Sequence, residues 1–443
     1  DRTKSRGLGD VYKRQIAMSQ DVQGESFDYP EIFFEEKIHH IRRVHPDPNQ
    51  IQEAADKLKN SKQPIIISGG GVLYSEAEQT LSNFAKKHNI PVTSTVMGIG
   101  CMTKDDPYYI SAVGALGEGS SNNLSKDTDL ALAVGTKLAD FTTGSWANFE
   151  NPNFKLISVN TARYDTTKHL ATPVISDAKV GLIQISEALG DWRAPDTWYQ
   201  RAIKERDEWE AYVAKQSGPT NQEEPSYAHA VGAIYRNSDP SDIVVTAAGG
   251  LVGEVVQVWK PKELNTFETE WGFSCMGYEI SGALGIKMAK PDQDVVVFVG
   301  DGSYLLNNSD IYSSVLYDQK LIIVMCDNGG HMVINRLQLA KGGKEYICNL
   351  RAARATNLKF VDFENHAKSM GANAETVSST SELEAAFKRA KESDKTYVIA
   401  IKTHGYEWLD GTAFWESPTL QDPINEENKK ALDDFESGKS CLL

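Results

Sequence analysis

Asp301 and Asn328 are the residues of this chain whose types and spacing most directly suggest chemistry. Asp301 stands in VVVFVGDGSYLL (295–306) and Asn328 in LIIVMCDNGG (321–330), each at the end of a β-rich apolar run. They lie 328 − 301 = 27 residues apart. Mg²⁺ takes few oxygens from protein and the rest from phosphate and water, so a carboxylate, a carboxamide and a nearby backbone carbonyl satisfy it. Gly300 and Gly302 let the backbone approach a phosphate. A helix following Ser303 would aim its N-terminus at that anion. Gly-Asp-Gly alone is ordinary turn composition. The second oxygen ligand, after a second buried-type strand, turns the pattern into a diphosphate–Mg²⁺ site.

Positioning these two residues requires neighbouring strands. The intervening NNSDIYSSVLYDQK is long enough for one crossover helix, which makes the flanking strands parallel. Both ligands then emerge at strand carboxyl ends, where open α/β sheets bind their ligands. The same rhythm recurs along the chain. PIIISGGG, PVTSTV, LALAVG and KLISVN are β-rich runs in residues 47–190, with YSEAEQTLSNFAKKHN an amphipathic helix between the first two. DIVVTA, VVVFVG, LIIVMC and TYVIAIK play that part in residues 226–405. The expected fold class is α/β, with two doubly wound parallel-sheet domains. Residues 191–225 read as an inter-domain linker with helical character around WYQRAIKERDEWEAYVAKQ, and residues 406–443 as a polar carboxyl-terminal tail. Residues 16–46 read as a strand end and an extended aromatic linker. Residues 1–15, DRTKSRGLGDVYKRQ, read as a non-native leader and stay outside the fold argument.

Composition removes several classes. With 61 acidic against 46 basic side chains the formal charge is −15, which argues against a nucleic-acid or anionic-membrane partner. No run approaches the roughly 20 apolar residues of a membrane span. Cys101, Cys275, Cys326, Cys348 and Cys441 are scattered and odd in number, as suits reduced thiols in a cytoplasmic protein. SGGGVLYSEAE (68–78) departs from the GxGxxG dinucleotide pattern, and a tight structural turn is the favoured reading over an NAD-binding oxidoreductase.

Gly-Asp-Gly followed by an Asn-bearing pair resembles the signature of the thiamine diphosphate (ThDP) enzymes. That resemblance implies that Asp301, Asn328 and the Gly330 carbonyl hold Mg²⁺, while Gly302 and Ser303 contact the diphosphate. The family usually has Asn-Asn where this chain has Asp327-Asn328, and the matching ligand is the second residue. VVTAAGGLVGE (244–254) would supply a diphosphate-binding turn through Gly249, Gly250 and Leu251. ETEWGFSCMGYEISGALGIKMA (268–289) would bring Ser274, Cys275 and Met276 to the cofactor, with Met276 wedged between its two rings. The two domains would be the family's middle domain and its diphosphate-binding domain.

SQDVQGESFDYPEIFFEEKIHHIRR, WGFSCMGYEISGALGIKMA and DNGGHMVINRLQ narrow the resemblance to hydrolases that open a small cyclic dione by C–C bond hydrolysis. An acetolactate-synthase-like carboligase or decarboxylase, or a non-catalytic diphosphate-binding protein, are the alternatives. The family's activating Glu lies on an amino-terminal pyrimidine-binding domain for which the residues ahead of 47 are too few. No catalytic residue is therefore assigned, and Glu254, Glu270 and Glu279 do not inherit that role. Because the family's cofactor sits between subunits, a homodimer or homotetramer is implied.

Overall fold

The computed structural model describes residues 18–353 and 360–439. The leader reading of residues 1–15 lies outside them. Two compact units divide at Arg42 and Arg43. In the first, every described residue is exposed. It contains one helical turn at Gln20–Gln23 and a 3₁₀ turn at Glu31–Phe33, and no strand among its described residues; Ile16 and Ala17, where the expected strand end begins, lie outside them. Phe27, Tyr29, Phe33 and Phe34 meet in edge-on and tilted ring contacts, with Tyr29 and Phe33 centroids 4.9 Å apart.

The second unit holds two six-stranded sheets. The first comprises β1 (Pro64–Ser68), β2 (Val92–Ser94), β3 (Tyr109–Ala112), β4 (Leu130–Val134), β5 (Lys155–Asn160) and β6 (Thr172–Ile175). Their order is β3-β2-β1-β4-β5-β6 and every pairing is parallel. PIIIS and LALAV are buried at every position, because helices cover both faces of a parallel sheet. The Gly-rich turn after β1 meets the turn after β4. A Cβ on Gly69 would stand 2.5 Å from the Gly135 carbonyl oxygen, and one on Gly71 2.6 Å from Gly135 Cα. These glycines allow two backbone turns to touch.

The second sheet comprises β7 (Ile243–Thr246), β8 (Phe267–Thr269), β9 (Val295–Gly300), β10 (Ile322–Asp327), β11 (Asn373–Val377) and β12 (Tyr397–Lys402). It is also all parallel, in the order β11-β12-β10-β9-β7-β8. Side chains of β9 alternate between two cores. Val296 and Phe298 join Ile234 and Val252 on one face, while Val295, Val297 and Val299 join Ile280 and Ile311 on the other. The architecture is α/β with two doubly wound parallel sheets, as the strand pattern implies.

The crossover from β9 to β10 departs from expectation in two ways. It contains two helices, Asp301–Leu306 and Ser309–Leu316, where one was expected. The first begins at Asp301 itself and not after Ser303. Asn307 and Asn308 cause the break: their side chains bond Ser281 Oγ and the Tyr304 carbonyl, competing with the helical backbone.

The segment 191–225 carries the helix Asp196–Gln216, which packs on both sheets' layers. Trp198 donates from its indole N–H to the Pro64 carbonyl at 2.8 Å, while Val213 sits in the core of the second sheet. The carboxyl-terminal segment folds back similarly. Asn122 donates to the Gly411 carbonyl at 2.7 Å, and the helix Glu426–Lys439 buries Phe435. Among the described residues no helix is long and apolar enough to cross a membrane.

Candidate cofactor-binding site

Strand order in the second sheet reverses between β7 and β9, and the crevice outside their carboxyl ends is where such sheets take ligands. Gly300 and Cys326 are partners across β9 and β10, so Asp301 and Asp327 follow side by side. Asp301 is only 4% exposed. Burial pushes its carboxyl up to about 7, the charge of Asp327 adds to this, and the Gly302 and Gly330 amides offset part of it. Asn328 Oδ1 is buried and accepts no hydrogen bond. A bare buried acceptor costs about 1–3 kcal/mol. Next to the Asp301 and Asp327 carboxyls, this bare oxygen fits a hard cation. Among the described residues no three His, Cys, Asp or Glu side chains gather into a metal cage. A carboxylate, a carboxamide and a backbone carbonyl, which Asp301, Asn328 and Gly330 offer, suit a metal that keeps water and phosphate ligands.

Gly330 is constrained on two sides. Its φ is +137°, and a Cβ would stand 2.3 Å from the Cys348 carbonyl oxygen. His331 N–H donates to that same carbonyl at 2.8 Å. The close approach of residues 348–350 fixes the turn, while the Gly330 amide faces Asp301.

Met276 reaches this place from β8. The Cβ that Gly302 lacks would lie 2.7 Å from His331 Cε1 and 3.3 Å from Met276 Cε. Gly302 therefore occupies a slot between an imidazole and a thioether methyl, and Met276 is still 36% exposed above it. Ser274, at φ +52°, turns its hydroxyl to the Ala247 carbonyl at 3.0 Å. Cys275 is exposed, and its amide donates to Glu270 Oε2 at 2.8 Å.

Gly249, at φ +77°, opens the helix Gly249–Val258 directly beyond β7. Gly250 lies against Trp408. The Leu251 side chain is core, so only its backbone can serve a ligand.

One residue overlooked as a site organiser is Glu279. It is buried, and burial raises its carboxyl. Oε1 accepts from Ala248 N–H at 3.2 Å, Oε2 accepts from Gly277 N–H at 2.8 Å, and the Ser303 hydroxyl joins them. It thereby ties the turns after β7, β8 and β9 together. The available signal was a single acid in the first turn of an otherwise Gly/Ala-rich helix.

Residues 51–185 match the thiamine pyrophosphate enzyme central domain, and residues 247–401 match the C-terminal TPP binding domain of the same enzymes. The chain belongs to the thiamine diphosphate enzymes. Every candidate site residue falls within the ThDP-binding domain match. The chain is 33% identical over 436 residues to a 3D-(3,5/4)-trihydroxycyclohexane-1,2-dione hydrolase of Geobacillus thermodenitrificans, covering 90% of this chain and 67% of that protein. The enzyme of the same name from Lacticaseibacillus casei is 32% identical over 455 residues, covering 96% and 70%. That from Halalkalibacterium halodurans is 34% identical over 419, covering 89% and 66%. The chain spans about two thirds of the length of these ThDP-enzyme relatives.

Proposed function

We propose that this chain forms the middle and diphosphate-binding domains of a ThDP-dependent hydrolase that opens the ring of 3D-(3,5/4)-trihydroxycyclohexane-1,2-dione. The observation that carries the cofactor reading is the buried, unpartnered Asn328 Oδ1 in the turn after β10, the strand paired with the one that leads into Asp301. The substrate reading rests on relatives at 33% identity across 90% of this chain. Asp301, Asn328 and the Gly330 carbonyl would hold Mg²⁺. Gly249, Gly250, Leu251, Gly302 and Ser303 would face the diphosphate, and Met276 with Ser274 and Cys275 would support the rings. Bound ThDP supplies the nucleophilic carbon and the electron sink.

The reaction balances simply. The bond between the two carbonyl carbons breaks. One carbon takes hydroxyl from water and becomes carboxylate, and the other takes a proton and becomes an aldehyde, giving 5-deoxy-glucuronate in inositol catabolism. No Glu of these 443 residues is proposed as the activating acid. Turnover is expected when a pyrimidine-binding domain is supplied, and weak ThDP–Mg²⁺ binding without turnover when it is not.

Assembly as a homodimer or homotetramer is supported by Leu305, Leu306, Tyr312, Leu316 and Tyr317. All five are exposed, on or just beyond the two helices that follow Asp301. The free thiols of Cys101, Cys275, Cys326 and Cys348 agree with a cytoplasmic setting.

Acid release separates the substrate readings. With ThDP, Mg²⁺ and a pyrimidine-binding domain present, the cyclic dione should yield one carboxylic acid per ring opened and pyruvate should be left unchanged. Pyruvate consumption with an inert dione would reassign the chain to the carboligases or decarboxylases.

A further inference from the structure

Gly250 has a neighbour outside the ThDP-binding domain match. The Trp408 indole lies on it so closely that a Cβ would stand 2.0 Å from Cζ3 and 2.4 Å from Cη2. No L side chain fits under that ring. The indole is held on other sides as well. It meets Tyr227 edge-on, with centroids 5.7 Å apart and planes at 82°. The Arg336 guanidinium carbon lies 5.1 Å from its centre. The next residue, Leu409, donates its N–H to Glu254 Oε1 at 3.1 Å, about one turn along the helix that Gly249 begins.

The same segment also touches the other half of the site. Thr403 N–H donates to the Asp327 carbonyl at 2.8 Å. A Cβ on Gly405 would stand 3.3 Å from the Asn328 carbonyl oxygen and 2.8 Å from Met332 Cε. Residues 403–409 thus bridge the turn after β10 and the turn after β7, with β9 lying between those strands. The turn after β7 reads Ala-Ala-Gly-Gly, and its two glycines leave that backbone free to move unless neighbours hold it.

We propose that Trp408 is a positioning residue of the cofactor site: its indole clamps the Gly249–Gly250 turn in register with the Asp327–Asn328 turn, and residue 250 is glycine to admit that ring. Trp408 touches no reacting atom in this account and acts through the turn. The inference rests on the ThDP reading and deepens it. It also separates two reasons for a glycine at 250, approach of a diphosphate and approach of an indole.

A double-mutant cycle on the full 443-residue chain tests it, reading ThDP affinity in the presence of Mg²⁺ alongside the unfolding midpoint. W408A and G250A should each weaken ThDP binding about tenfold or more, as loss of a supporting partner does. The G250A/W408A double variant should bind no more weakly than W408A, and W408F should restore most of the affinity. If W408A does not fold, W408L takes its place in the cycle. Wild-type affinity in W408A, or a full additional loss from G250A in the W408A background, overturns the clamp. Absence of ThDP binding by the wild-type chain removes the cofactor reading itself, a result distinct from either.

Discussion

At the scale of single residues, the candidate site combines proposed ligands that sequence exposes with supports that it hides. Asp301 and Asn328 are legible because each ends an apolar run, and strand ends are where such sheets bind. Glu279 is not, because its bond to Ala248 spans 31 residues. Glu279→Ala would strand two backbone donors, so it should lower stability by about 1–3 kcal/mol and weaken ThDP binding. Urea unfolding and a ThDP titration check both parts. Trp408 was hidden for the same reason: its partner Gly250 is remote in the chain. Glu254 offers a pH test. Burial pushes its carboxyl from 4.5 up to about 7, and its Oε2 has no hydrogen-bond partner. A folded-state pKa above the unfolded value gives stability that is full below pH 4.5 and lost as pH rises through about 7. Glu254→Gln should remove that loss and be the more stable form at pH 8, by about 3 kcal/mol at most. Equal slopes of stability against pH for the two proteins would contradict this.

At the scale of elements, strands with a continuous β-rich run declared themselves, and β3, β6, β8 and β11 did not. PIIIS, LALAV, VVVFVG and YVIAIK are buried along nearly their whole length, a pattern that composition carries. YISA, TPVI, FET and NAETV (β3, β6, β8 and β11) mix polar residues or proline into three to five positions, which leaves neither an apolar run nor a period to read. The broken crossover after Asp301 was missed because Asn307 and Asn308 act through side-chain bonds that only the folded chain reveals. The opposite ends of the same strands carry a charge cluster with a clear consequence. Lys391 Nζ lies 2.8 Å from Asp239, 2.5 Å from Asp242 and 3.1 Å from Asp294, where β7 and β9 begin. Asp242 is almost fully buried and Lys391 only 19% exposed. Lys391→Met leaves Asp239 and the buried Asp242 without their cation, while Asp294 keeps Lys320 at 3.1 Å. It should destabilise the fold by about 2–4 kcal/mol in chemical denaturation. A loss within error of zero would mean that the cluster is only surface decoration.

At the scale of the whole molecule, the two domains were legible and their fastening was not. The helix Asp196–Gln216 looked like a linker because most of its side chains are polar. Its buried residues, Trp198, Ala202 and Val213, are spread between two cores. The segment beyond β12 looked like a tail, yet it runs from Asp327 past Gly250 to Asn122 and Gly114. This fastening matters because the cofactor reading requires three turns from one sheet to stay in register. Titration of ThDP into the chain, with Mg²⁺ and then with a chelator, tests that reading most directly when Asn328→Leu is run beside the wild type. The account predicts saturable binding that needs the metal and falls by at least the 10- to 100-fold typical of a damaged metal site in the variant. Binding that ignores both chelator and substitution, or no binding by the wild-type chain, would contradict it.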